Sequence, residues 1–128
     1  MTEEFKVAEE QAEAEFNAWL ERMDIDPSTD GEKDRVIRAI MRGHLVFNDD
    51  GLAAYTPWRP ASKRTAPLVF HEVSGADLMA AGAKASQGAT KAALAMIASM
   101  CRVDPKVIVD LTGPDLRTVQ AVYGFLAV

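Results

Sequence analysis

Histidine and cysteine are nearly missing from this sequence. His44, His71 and Cys101 are the only three in 128 residues. One cysteine closes no internal disulfide and suits a reducing compartment. Its place in an apolar helix reads as a small buried side chain rather than a reactive thiol. No His/Cys/acid spacing fits zinc, and the two histidines read as loop or strand residues. There is no glycine-rich phosphate loop and no nucleophile elbow. Asp49 and Asp50 are adjacent carboxylates, but they sit in a turn, and a calcium loop would need further oxygen ligands at set spacing. The sequence therefore predicts no catalytic residue, no metal and no cofactor. It also lacks an apolar run of eighteen, a signal-peptide pattern and a repeat of solenoid length. Bases are outnumbered, 14 against 19 acids, for a net charge of −5. Such a chain is a poor nucleic-acid binder unless its bases are segregated.

What is present is 48% apolar. That fills a modest core in one domain, since domains of this size bury roughly two-thirds of their unfolded surface. The single domain 1–128 divides into an acidic N-terminal helix and turn (1–30), a helix with a hairpin and Pro-rich loop (31–72), and a helical core (73–128). Charge is uneven. Residues 1–34 hold 12 acids and 3 bases, hence −9, and residues 35–128 hold 7 acids and 11 bases, hence +4.

Residues 3–24 read as an amphipathic helix. Phe5, Ala8, Ala12, Phe16, Trp19, Leu20 and Met23 share one face, and Glu9, Glu10, Glu13 and Glu21 fill the rest. Phe16 and Trp19 are read as core contacts or as a docking stripe, and the helix as contributing more to assembly than to the core. Asp26 to Gly31 is a break. A second helix, 32–42, aligns Arg35, Arg38 and Arg42 in a basic stripe that suits a solvated face, the chain's own acidic helix, phosphate or a partner's carboxylates. Gly43 suits its end. Residues 45–47 and 52–55 flank Asn48-Asp-Asp-Gly51 as a hairpin. Three prolines between Thr56 and Pro67 forbid a regular helix, and Trp58 there reads as part of a mobile or partner-binding arm. Residues 68–72 add a third strand.

The last 55 residues organise the chain. Ser74 with Asp77, and Thr112 with Asp115, have the spacing of a capping box, and Asp104-Pro105 is a third helix start. Helices are predicted over 77–84, 90–101, 105–110 and 114–127. The fold class is therefore α+β, mostly helical: a helical bundle core with a small antiparallel hairpin or three-stranded sheet. On the last helix, Leu116, Val119, Tyr123 and Leu126 form the face for packing on 90–101. Val122 and Phe125 lie to the side. With Met96 or Met100 they either form a partly exposed apolar groove for a partner's helices, or Phe125 simply fills the core.

The order Val73-Ser-Gly-Ala-Asp-Leu, Ala-rich helix, Cys101-Arg-Val-Asp-Pro-Lys-Val-Ile, Leu111-Thr-Gly-Pro-Asp-Leu and Val119-Gln-Ala-Val-Tyr-Gly-Phe-Leu resembles the tail assembly chaperones of long-tailed bacteriophages. The resemblance implies a non-enzymatic protein that binds the long helical tape-measure protein, keeps it soluble and helps recruit tail-tube subunits. It implies action in the host bacterial cytoplasm, absence from the mature virion and no membrane. Some members are made in a second, longer form by ribosomal frameshifting, and this chain matches only the short one. Self-association stays open. The alternatives are a small helix-turn-helix DNA-binding regulator, in which Arg117, Thr118 and Gln120 would face bases, and an adaptor subunit with no chemistry of its own.

Overall fold

The computed structural model describes residues 7–26, 32–59 and 66–126. Six α-helices and a three-stranded antiparallel sheet make up these residues, with 61% helix, which is the α+β, mostly helical class. Phe5, the Pro60–Thr65 part of the loop with Lys63 and Arg64, and the final Ala127 and Val128 lie outside the described residues.

Helix α1 spans Glu9–Arg22 and α2 spans Lys33–Met41. They pack against each other. The turn after α2 is a Schellman motif. Gly43 takes φ 79°, its N–H reaches Ile40 O at 3.0 Å, and the His44 N–H reaches Ala39 O at 3.0 Å. The chain enters the sheet there. Strands β1 (Leu45–Phe47), β2 (Ala53–Tyr55) and β3 (Leu68–Phe70) follow in spatial order 1-2-3, with Leu45 opposite Tyr55 and Tyr55 opposite Leu68. The Asn48 side chain holds the hairpin turn by accepting from the N–H groups of Asp50 and Leu52, each at 3.0 Å.

Ser74 and Asp77 form the predicted capping box, and α3 runs Gly75–Lys84. A short 3₁₀ turn (85–87) and Gly88, at φ 109°, reverse the chain into α4, Ala89–Met100. Asp104 accepts from the Lys106 N–H at 2.9 Å and starts α5, Pro105–Val109. The last helix, α6, is Gly113–Leu126.

One core joins these elements. Phe16, Trp19 and Leu20 of α1, Val36 and Ile40 of α2, Leu45, Tyr55, Leu68 and Phe70 of the sheet, and Val119, Val122 and Phe125 of α6 are all buried in it. Two expectations are corrected here. Helix α1 is not peripheral: Phe16 and Trp19 are core residues, so the acidic helix is held by its apolar face and turns its glutamates outward. Helix α6 also faces differently. It packs chiefly on α2: Val119 of the expected face is buried, but so are Ala121, Val122 and Phe125 to its side, whereas Leu116, Tyr123 and Leu126 are only partly buried. The reason is Phe16, whose ring meets Phe125 edge-on at 5.2 Å and draws that side of α6 inward.

Helices α3 and α4 form an arm. Helix α3 packs mainly on α4, and α4 meets the body through its C-terminal half, where Met96, Ile97, Ala98 and Met100 are buried against β3 and α5. Main-chain pairing of His71 N–H with Met100 O at 3.2 Å fixes the root.

Candidate functional surfaces

The groove expected of Met96, Met100, Val122 and Phe125 is not formed, because all four side chains are buried. Phe125 is 2% exposed. The Tyr123 hydroxyl closes over Met96, donating to its Sδ at 3.5 Å. The uncovered apolar surface lies one helix earlier, on α3.

Helix α3 reads Gly-Ala-Asp-Leu-Met-Ala-Ala-Gly-Ala-Lys. Its one carboxylate, Asp77, turns inward. Asp77 accepts from the Ser99 hydroxyl at 2.5 Å, from the Ser74 N–H at 2.8 Å and from the Ser74 hydroxyl at 3.1 Å. Burial by itself would raise the Asp77 pKa. The hydrogen bonds from Ser99 and Ser74, with the Arg102 charge, outweigh it and hold the carboxyl below its ordinary value. The acid that would have made the outer face polar is thus used to cap α3 and fasten it to α4. Left outside are Leu78, 60% exposed, and Met79, 77% exposed, with Ala76 and Ala83 beside them and no charge before Lys84. A surface helix ordinarily turns a polar face outward. The sequence reading missed these residues, although a ten-residue helix with one acid at its cap and one base at its end was a readable sign of it.

The second surface is polar and surrounds Trp58. Asp115, in the first turn of α6, is fully buried, and its carboxylate gathers three donors from the loop side. The Tyr55 hydroxyl donates at 2.6 Å, the Trp58 N–H at 3.1 Å and the Arg59 N–H at 2.9 Å. The helix N-terminus adds favourable potential. Burial, followed by the Asp115 hydrogen bond and charge, pushes the Tyr55 phenol far above its ordinary pKa. The segment after β2, expected to be a mobile arm, is pinned in this way at Trp58 and Arg59. The Trp58 indole is 40% exposed and stacks on His44 at 5.2 Å and 13°, while the Arg59 guanidinium lies 4.7 Å from its ring centre. Beside it opens a cleft of about 220 Å³ whose lining includes Arg35, Arg38, Arg42, His44, Trp58 and the single acid Asp34. Arg35 pairs through Nε with Glu32 at 3.1 Å, its neighbour one turn back.

Among the described residues no cluster of His, Cys, Asp or Glu could hold a metal ion, and no helix is long and apolar enough to cross a membrane. For the helix-turn-helix alternative, Arg117 and Gln120 are exposed but Thr118 is buried, and α6 is packed on α2. That leaves little of the helix to enter a groove.

In comparisons with known proteins, the sequence model of a family described as "Phage tail assembly chaperone proteins, E, or 41 or 14" matches residues 56–127. The match runs from the Trp58 segment through the α3–α4 arm to the end of α6. No curated protein and no solved structure matches the chain.

Proposed function

Since this chain belongs to the family of phage tail assembly chaperone proteins, we propose that it holds the tape-measure protein soluble during tail assembly, helps bring tail-tube subunits to it, and uses the outer face of α3 as its holding surface. The observation that carries the proposal is the uncharged, uncovered strip around Leu78 and Met79, inside the family-matched region. A long helical partner exposes apolar stripes before its tube is built. An exposed methionine and leucine on an alanine-rich helix offer such stripes an adaptable surface. The arm is rooted in the core at one end only, so a partner helix can reach α3 without opening the body.

The function is binding without chemistry. The same reading has the chain act in the host cytoplasm and leave before the particle is complete, so mass spectrometry of purified virions should not find it.

The test is co-expression with the phage's tape-measure protein. Leu78→Asp and Met79→Asp should leave the melting temperature of the chaperone within a few degrees of the parent and abolish the soluble complex. If both variants keep the tape-measure protein soluble at parental yield, the α3 surface is not the holding site.

A further inference from the structure

The cleft beside Trp58 has a composition that tape-measure holding by α3 does not use. Three arginines at positions 35, 38 and 42 follow one helix face, and every base that lines the cleft, apart from His44, is an arginine. Arginine offers a planar fork that grips carboxylates in pairs of hydrogen bonds. Seven residues of helix separate Arg35 from Arg42, a span of about 10 Å at 1.5 Å per residue. That is the reach of about three residues of extended peptide at roughly 3.3 Å each.

The Trp58 part of the lining is built in advance. Asp115 fixes Trp58 and Arg59 through their main-chain N–H groups, and the His44 stack holds the indole flat beside the arginines. A ligand meets a formed cleft lined by a fixed indole and by guanidinium groups. The internal ion pair shows the chemistry in use, because Glu32, one turn back on the helix, already sets a carboxylate oxygen 3.1 Å from Arg35 Nε.

We infer that this cleft is a second binding site, for a short acidic peptide segment of a protein partner. An anionic polymer such as nucleic acid would need a longer basic track. Here the three arginines span only about 10 Å of helix. The choice of a protein ligand rests also on the chaperone reading, whose partners are proteins. The existence of an anion-selective cleft does not.

The experiment is a titration of the intact protein with fluorescein-labelled hexaglutamate, read by anisotropy and by quenching of Trp58, since the other tryptophan, Trp19, is 1% exposed. Saturable binding is expected that weakens steeply from 50 to 300 mM salt. Arg38→Glu should reduce affinity at least tenfold with an unchanged melting temperature, and Arg38→Lys should fall between. Lys106→Glu, outside the cleft, should bind like the parent. Absence of peptide binding, or binding indifferent to Arg38→Glu, overturns the inference. Tighter binding of a single-stranded oligonucleotide that displaces the peptide also overturns it, in favour of a nucleic-acid site. The Leu78 and Met79 variants should bind the peptide normally, so failure of the α3 surface and failure of this cleft are separate results.

Discussion

The Tyr55 hydroxyl donates a 2.6 Å hydrogen bond to Asp115 across 60 residues of chain, and neither residue is exposed to solvent. The bond ties the middle strand of the sheet to the first turn of the last helix. Its carboxylate also holds the wall of the arginine cleft, so fold and site share one polar centre.

Removing either partner should be costly in different degrees. Tyr55→Phe removes the hydroxyl donor to the Asp115 carboxylate, which keeps its two main-chain donors, and should destabilise by about 1.5–3 kcal/mol, the range for hydrogen bonds to charged groups. Asp115→Ala strands three donors and should cost about 3 kcal/mol or more. Urea unfolding followed by circular dichroism measures both. A Tyr55→Phe variant as stable as the parent would refute this account of the centre.

Alkaline pH should expose the same link. The Tyr55 phenol keeps its proton in the fold to a pH well above its ordinary value. In the unfolded chain it ionises near pH 10. The unfolded state therefore binds fewer protons above that pH, and stability falls as pH rises. The parent should lose stability steeply above about pH 10. Tyr55→Phe, less stable at neutral pH, should show a shallower decline.

At the acid end the relevant group is Asp77. Its carboxyl titrates below the ordinary value in the fold, so its contribution is present above the unfolded pKa and is lost as pH drops through the folded one. Amide exchange in 75–84 should rise below about pH 4 ahead of the body. Ser99→Ala should raise it at neutral pH too. Equal protection of arm and body across this range would contradict the view that Asp77 fastens α3 to α4.

Deletion of residues 1–22 should abolish the cooperative fold rather than merely alter association. It removes Phe16, Trp19 and Leu20 from the core. Phe125→Ala, which empties the other half of the Phe16 contact, should destabilise by about 3–5 kcal/mol. A cooperative thermal transition in the deletion variant would return α1 to the periphery.

Local signals in the sequence were readable because each is settled within a few residues. The Ser74–Asp77 box, the Asp104-Pro105 start and the Asn48–Gly51 turn all stand where their spacing put them. Two helix stops were not announced. Asp24 and Arg102 take φ 56° at the ends of α1 and α4, doing without glycine what Gly43 does after α2. The larger differences concern partners distant in sequence. Periodicity placed Phe16 and Phe125 on defined faces, but nothing local says that those faces meet. Thr112 and Asp115 had the spacing of a capping box, yet the Asp115 carboxylate also reaches Tyr55, Trp58 and Arg59, more than fifty residues away. Leu78 and Met79 were passed over because apolar helical residues are usually taken for core.

The meeting of Phe16 with Phe125 bears on synthesis. The two rings are separated by 109 residues of chain, 125 less 16, while the arm and the sheet close over short separations. At about 5–20 residues per second, α1 leaves the ribosome roughly 5–20 s before the ring that covers it. During that interval Phe16, Trp19 and Leu20 stand without the α6 ring that covers them, and the neighbouring glutamates of α1 are the charged residues placed to oppose association there. Neutralising Glu9, Glu10 and Glu13 together should therefore lower soluble yield during expression while leaving the melting temperature of the protein that does fold nearly unchanged.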